Sequence, residues 1–178
     1  METGLRPERA PSFHDQFVVL FGAHFHRLYR YMSRVSGDPD LAADVAQDAF
    51  AKLYGRGSLP DAPEAWLITV ALNLFRNAAS TRTRRLRLLT PARGEAVLAD
   101  PPTSPDAALE AEDTRRRVRQ ALDKMPERGR NMLLLRGEGY SYRDIAQALD
   151  VNETSVGVLL ARARRAFREI YGESTDAP

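Results

Sequence analysis

The sequence has no cysteine, a single tryptophan and only three histidines. No apolar run in it approaches the roughly 20 residues needed to span a bilayer. The lack of cysteine excludes disulfides, a thiol nucleophile and thiolate metal sites. Residues 1–12 are polar and carry Pro7 and Pro11, so the apolar centre of a signal peptide is missing. The expectation is a cytoplasmic protein with no membrane insertion. His24 and His26 stand two residues apart, which on a helix sends them to different faces. His14 adds no carboxylate arrangement that suits a metal. No nucleophile elbow and no phosphate-cradling glycine loop is present. These absences leave no catalytic residue, no metal and no cofactor to expect. The chain reads as a binding protein, not an enzyme.

Charge supplies the first positive sign. Residues 1–60 balance seven basic against seven acidic groups, whereas residues 61–93 carry six against two. Residues 94–113 carry six acids and no base, and residues 114–178 carry thirteen bases against nine acids. Two basic blocks thus flank an acidic one. That pattern suggests two polyanion-facing surfaces joined by a segment that avoids nucleic acid or imitates it.

Apolar periodicity is helical nearly throughout, with no strand alternation and no internal repeat. Phe13, Phe17, Leu20, Phe21, His24, Leu28, Tyr31 and Val35 predict one face of a long first helix, broken at Ser36-Gly37-Asp38-Pro39. A second helix is predicted from Pro39 to Tyr54. It turns Leu41, Ala42, Val45, Ala46, Ala49, Phe50 and Leu53 inward and Asp44, Gln47, Asp48 and Ala51 outward. Pro63 and Glu64 supply a start signal for a third helix. Trp66, Leu67, Val70, Ala71 and Leu74 are expected inside it, and it runs on into an arginine cluster. Pro91, Pro101, Pro102 and Pro105, with Gly94 and several acids, predict a flexible acidic linker over 90–105. Helical pattern resumes at Asp106, is punctuated by Pro126 and continues around Met132, Leu133 and Leu135.

The most specific local pattern lies between Tyr140 and Phe167. Ser141 with Asp144 approximates a capping box. Tyr142, Ile145, Ala146 and Leu149 form an inward stripe, Asp150-Val151 a tight turn, and Asn152 an N-cap. Val156, Leu159, Leu160, Ala163 and Phe167 then share one face. Two short helices with such a turn, the second ending in a basic run, predict a helix-turn-helix. The second helix suits the major groove. Its outward residues are Thr154, Ser155, Val158, Ala161, Arg162, Arg165 and Arg168. Val158 or Ala161 is placed to meet a thymine methyl, and the arginines to meet phosphates.

Three segments together resemble a known family. Asp38 through Phe50 is similar to the region-two helix of bacterial sigma factors. Pro63-Glu64-Ala65-Trp66-Leu67 through Asn73, with the arginines after it, resembles their promoter-melting helix. Leu122 through Arg128, then Tyr140 to Phe167, resembles region four. Order and spacing fit the small extracytoplasmic-function class of the sigma-70 family, over about Phe13 to Tyr171. The resemblance implies an all-α fold of two small helical domains joined by the acidic linker. It gives a disordered N-terminus at 1–12, region two at 13–89, a linker at 90–105, region four at 106–171 and a tail at 172–178.

The resemblance also implies partners and roles. Asp44, Gln47, Asp48 and Arg56 would dock on the β′ clamp helices of core RNA polymerase, with further contact to the β subunit. Asn73, Arg76, Asn77 and Ser80 would meet the −10 element of promoter DNA, and Arg82, Arg84 and Arg85 would follow its backbone. Thr154, Ser155, Val158, Ala161, Arg162 and Arg165 would read the −35 element. An anti-sigma factor is a further implied partner, and the free chain is expected to be a monomer. The family captures a flipped base in the loop corresponding to Gly55–Ala62, yet this loop holds no aromatic residue, so no pocket is assigned. Trp66 is expected in the core, not as a base stacker.

Two positions depart from the common pattern. Asn77 stands where many relatives carry an acid. Gly157-Val158-Leu159 replaces basic and hydroxylic residues of the reading helix and adds a helix-weakening glycine. Two other functions fit parts of the sequence. A stand-alone helix-turn-helix regulator would bind palindromic half-sites unaided. A polymerase adaptor that never reads DNA would have no use for two basic blocks.

Overall fold

The first helix starts where Ser12 and Asp15 close a reciprocal cap. Asp15 N–H donates to Ser12 Oγ at 3.2 Å, and Ser12 N–H donates to Asp15 Oδ2 at 3.0 Å. The computed structural model describes residues 11–86 and 105–173, with side chains over 11–80 and 111–172. Among the described residues it contains seven helices and no strand: α1 (Phe13–Ser36), α2 (Pro39–Arg56), α3 (Pro63–Leu86), α4 (Pro105–Lys124), α5 (Glu127–Gly137), α6 (Tyr142–Leu149) and α7 (Glu153–Glu173). The fold is all-α. The expected linker, most of the N-terminal segment and most of the tail lie outside the described residues. Pro105, expected as the last linker residue, instead opens α4, a position where a missing N–H costs nothing.

Helices α1 to α3 form an N-terminal unit. Leu28, Tyr31, Met32 and Val35 of α1 are buried against Ala42, Val45, Ala46, Ala49, Phe50 and Leu53 of α2. The first half of α1 departs from the single inward face that its periodicity predicts. Phe13 and Phe17 are half-buried, and Phe21 is 39% exposed beside Val18 and Val19. The rings there pack mainly on one another and on Phe50 and Tyr54. Helix α3 also differs from its prediction. Ile68 and Leu72 are buried alongside Leu67 and Ala71, while Trp66, Val70 and Leu74 are half-buried at the core margin. The cause is that α3 packs against α2 on one flank and α6 on the other, so more than one stripe of its surface is covered.

Helices α4 to α7 form a C-terminal unit whose core joins Met132, Leu135, Ile145, Val156 and Leu160. The two units do not keep separate interiors. Tyr31 of α1 and Tyr140, just before α6, are both buried and meet edge to face with centroids 6.4 Å apart. Burial pushes both phenols above their ordinary pKa. Beside them Arg27 stacks on the Tyr140 ring at 3.8 Å. Its Nε donates to the Glu138 carbonyl at 3.0 Å and its Nη1 to Glu64 Oε2 at 2.9 Å.

Glu138 is the charged centre of this junction. It sits in the α5–α6 connection with its side chain 3% exposed. Arg30 Nε donates to its Oε2 at 2.9 Å, and Arg34 Nη1 lies 2.8 Å from its Oε1. A second tie runs from α4 back to α1. Gly37 ends α1 in the left-handed region at φ 67°, and Arg119 fills the space where its side chain would be. The Arg119 guanidinium donates to the Arg34 carbonyl at 2.9 Å.

Candidate polymerase and nucleic-acid interfaces

Helix α2 owes its polar face to arithmetic: residues three and four apart share a side, so burying Val45, Ala46, Ala49 and Phe50 turns Asp44, Gln47 and Asp48 outward. All three are exposed. The helix starts on Asp38, whose Oδ1 accepts from the N–H groups of Asp40 and Leu41 at 3.1 Å each. It continues two residues beyond the expected Tyr54, to Arg56, and Gly57 caps it at φ 74°. Arg56 is exposed at that end, beyond hydrogen-bond range of the acids, since α-helical rise is about 1.5 Å per residue. The structure therefore gathers Asp44, Gln47 and Asp48 into one surface and puts Arg56 at its margin.

On α3, Asn73, Arg76, Asn77 and Ser80 follow one another at steps of three, one and three and are all exposed. Arg76 is not idle. Its Nη1 donates to Asn73 Oδ1 at 3.2 Å, and its Nε and Nη2 each lie 3.0 Å from Glu127 Oε1, on the C-terminal unit. Arg82, Arg84 and Arg85 belong to the last turns of α3, but their side chains lie outside the described residues. Trp66 packs against the core, which agrees with a structural role for the ring. Sequence reasoning missed Tyr54, which is 49% exposed at the rim of the loop before α3 and packs on Phe17 at 4.9 Å. Its signal was an aromatic one residue before a turn that itself holds none.

The C-terminal unit realises the predicted caps. Ser141 and Asp144 form the full capping box: Asp144 N–H donates to Ser141 Oγ, and Ser141 N–H to Asp144 Oδ2, each at 3.1 Å. Asp150 takes the left-handed conformation at φ 51° and ends α6. Aspartate is among the few residues that accept this conformation. Asn152 Oδ1 accepts from the Thr154 N–H at 3.0 Å and from its hydroxyl at 2.8 Å. The hinge between α6 and α7 is thereby fixed by side chains of the turn itself.

Burial of Val156, Leu160 and Ala163 then turns Thr154, Val158, Ala161, Arg162 and Arg165 to solvent, with Ser155 half-buried. Val158 is 56% exposed, an apolar residue in the middle of an otherwise polar and basic row. Tyr142, expected inside, is instead 40% exposed, with the Arg136 guanidinium 5.4 Å from its ring centre. It lies over Gly157: a Cβ there would meet the Tyr142 ring at 3.7 Å, ordinary contact. The outward swing of Tyr142 follows from its place at the first turn of α6, where Ile145 and Ala146 already fill the interior. Beside that row an apolar groove of about 230 Å³ opens between Met125, Pro126, Met132, Leu159 and Ala163, with Arg162 on its lining.

The arrangement offers three separate exposed surfaces: an acidic one on α2, a polar and basic one on α3 and a basic one with Val158 at its centre on α7. Among the described residues no helix is long and apolar enough to cross a membrane. Comparison with known proteins agrees with the geometry. Residues 20–85 match the family model "Sigma-70 region 2", and residues 115–167 match "Sigma-70, region 4". The chain is 31% identical over 162 residues to the RNA polymerase sigma-H factor of Pseudomonas aeruginosa, covering 85% of this chain and 83% of that one. It is 28% identical over 149 residues to the ECF RNA polymerase sigma factor SigE of Mycolicibacterium smegmatis, covering 82% of this chain and 58% of that one. Its fold is similar to that of a sigma factor, RpoE, solved with the anti-sigma factor NepR from Bartonella quintana. The TM-score is 0.64 at 23% identity, over 87% of this chain and 96% of that one.

Proposed function

The chain belongs to the sigma-70 family, in its extracytoplasmic-function group, and acts as an alternative sigma factor in transcription initiation; from that premise we propose which surfaces perform each step. Asp44, Gln47 and Asp48, with Arg56 at the margin, dock on the β′ clamp helices of core RNA polymerase. Exposed carboxylates held at helical spacing are well placed for a partner that brings complementary cations. The C-terminal unit makes further contact with the β subunit. Asn73, Arg76, Asn77 and Ser80 meet the −10 element, with Arg82, Arg84 and Arg85 along its backbone. Thr154, Ser155, Val158, Ala161, Arg162 and Arg165 read the −35 element.

The observation that carries this reading is the simultaneous outward exposure of the α2 acids and the α7 row in one short chain. A stand-alone regulator uses the second and has no need of the first. The protein works in the cytoplasm, as a monomer when free, and an anti-sigma factor is its expected inhibitor. Elements named for positions 10 and 35 lie about 25 base pairs apart, or roughly 85 Å at ~3.4 Å per base pair. Helices α3 and α6 pack directly, so both elements are reached only after the two units part.

Run-off transcription with purified core enzyme tests the assignment. Promoter-dependent transcripts that require this chain are the expected result. Tight duplex binding by the free chain, with no such transcript across a genomic template library, would hand the reading to the stand-alone regulator.

A further inference from the structure

A helix lying in the major groove brings the residues of its first turns to the base edges. On α7 the exposed stripe of those turns is Thr154, Val158 and Ala161, at steps of four and three. None of the three carries a charge or an amide. The Thr154 hydroxyl donates to Asn152 Oδ1 at 2.8 Å and not outward. Gly157 contributes no side chain, and arginines enter only at Arg162. The stripe therefore lacks the paired donors that single out guanine and the amide that singles out adenine. What it presents is methyl groups, foremost the two of Val158, which is 56% exposed.

The flank of Val158 is apolar as well. Tyr142, 40% exposed at the first turn of α6, lies over Gly157, with a ring carbon 3.7 Å from where a Cβ would stand. Arg136 backs that ring: its guanidinium lies 5.4 Å from the ring centre, and its Nη1 donates to the Tyr140 carbonyl at 3.1 Å. A bare strip of backbone at Gly157 thus separates an aromatic ring from an exposed isopropyl group. In the major groove only thymine presents an apolar group at its edge, the 5-methyl. We propose that Val158, with Tyr142 across Gly157, forms an apolar notch that selects a thymine in the upstream element by its 5-methyl group. The inference deepens the −35 assignment of the α7 row and rests on it. Tyr142, outside that assignment, becomes a specificity-determining residue. Gly157 keeps the notch open, because a long side chain there would stand between the ring and the isopropyl group.

The test uses holoenzyme assembled from the full chain and core polymerase, with a duplex copied from the upstream region of a template that it transcribes in run-off. Each thymine is replaced in turn by deoxyuridine, which removes the methyl and keeps every hydrogen-bonding group. At one position the change should lower affinity about threefold to fivefold, the scale of one methyl group buried. There, 5-methylcytosine paired with guanine should bind more tightly than cytosine paired with guanine, although their hydrogen-bonding groups are the same. Val158→Ala and Tyr142→Ala should each bring the ratio of thymine to uracil affinity close to one, while Tyr142→Phe keeps it. Both side chains are exposed, and an unaltered thermal melt of each variant confirms that the fold is kept. The proposal is overturned if no thymine behaves in this way, or if Val158→Ala or Tyr142→Ala discriminates as the wild type does. Because the duplex comes from a transcribed template, a missing methyl effect counts against the notch and leaves the proposed function standing.

Discussion

The two helices assigned to DNA meet their surroundings differently. Helix α7 gives its inward face to a single interior and leaves Val158, Ala161, Arg162 and Arg165 to solvent. Helix α3 is packed on two flanks, and its exposed Arg76 is already held by a carboxylate of the other unit. One of the two proposed DNA surfaces is therefore open in the closed molecule, and the other is engaged. The difference teaches that exposure alone does not measure availability, since Arg76 is 51% exposed and still bonded.

The largest effect is expected at neither helix. Reversing Asp44 and Asp48 to lysine should weaken binding to core polymerase about 100-fold, on the scale of ~2–5 kcal/mol for a charge left against its former partner. The thermal melt of the free chain should be unaltered. Unchanged core affinity by fluorescence anisotropy would remove the α2 face from the docking assignment and leave α3 and α7 to explain recruitment.

Comparable in free energy but read in stability instead of binding, Tyr140→Ala should cost about 3–5 kcal/mol in denaturant unfolding, as for other large aromatics truncated in a core. If the loss is confined to the junction, the α7 row should keep its DNA affinity once the chain is folded. A parallel loss at both surfaces would show that the two units share one cooperative interior and would blunt the contrast between them.

Smaller again, Arg162→Ala should weaken duplex binding by about 1 kcal/mol across sequences and reduce the salt slope by about 0.9, as a phosphate contact does. Arg76→Ala should show less than this in the closed chain and more once Glu127 is neutralised. Equal effects in both backgrounds would contradict the idea that α3 is engaged.

The smallest effect concerns acid. The hydrogen bonds from Ser12 hold Asp15 below its ordinary carboxylate pKa, with His14 adding a lesser push. A depressed folded value means that the contribution is complete above the unfolded pKa and is lost as pH falls through the folded one. Protection factors in the first turn of α1, taken against the intrinsic exchange rate at each pH, should therefore fall at acidic pH while those of α7 hold. A uniform fall would point to global acid unfolding instead.

Much of this was legible in the chain because it is local. The α2 faces, the Ser141–Asp144 cap and the Asn152 cap each depend on residues within one or two turns of each other. Tyr142 was misjudged, since periodicity placed it inside and only the filling of that interior by Ile145 and Ala146 turns it out. Ile68 and Leu72 escaped notice because their cover comes partly from α6, far along the sequence. Glu138 gave no signal at all. It sits between Gly137 and Gly139, where a charged residue reads as a solvated turn, and its partner Arg30 is 108 residues away.

Gly37 carries a consequence for how such sequences change with descent. Any side chain there would face the left-handed backbone and meet the Arg119 guanidinium, whose nearest atom is 2.1 Å from the Cβ position. A chain that loses the glycine takes on left-handed strain there, and the Arg119 guanidinium must swing aside and give up its bond to the Arg34 carbonyl. Positions 37 and 119, neither assigned to a promoter or polymerase contact, are thus expected to vary as a pair wherever this closed packing is inherited. Their covariation would mark, among related chains, those that close in this way.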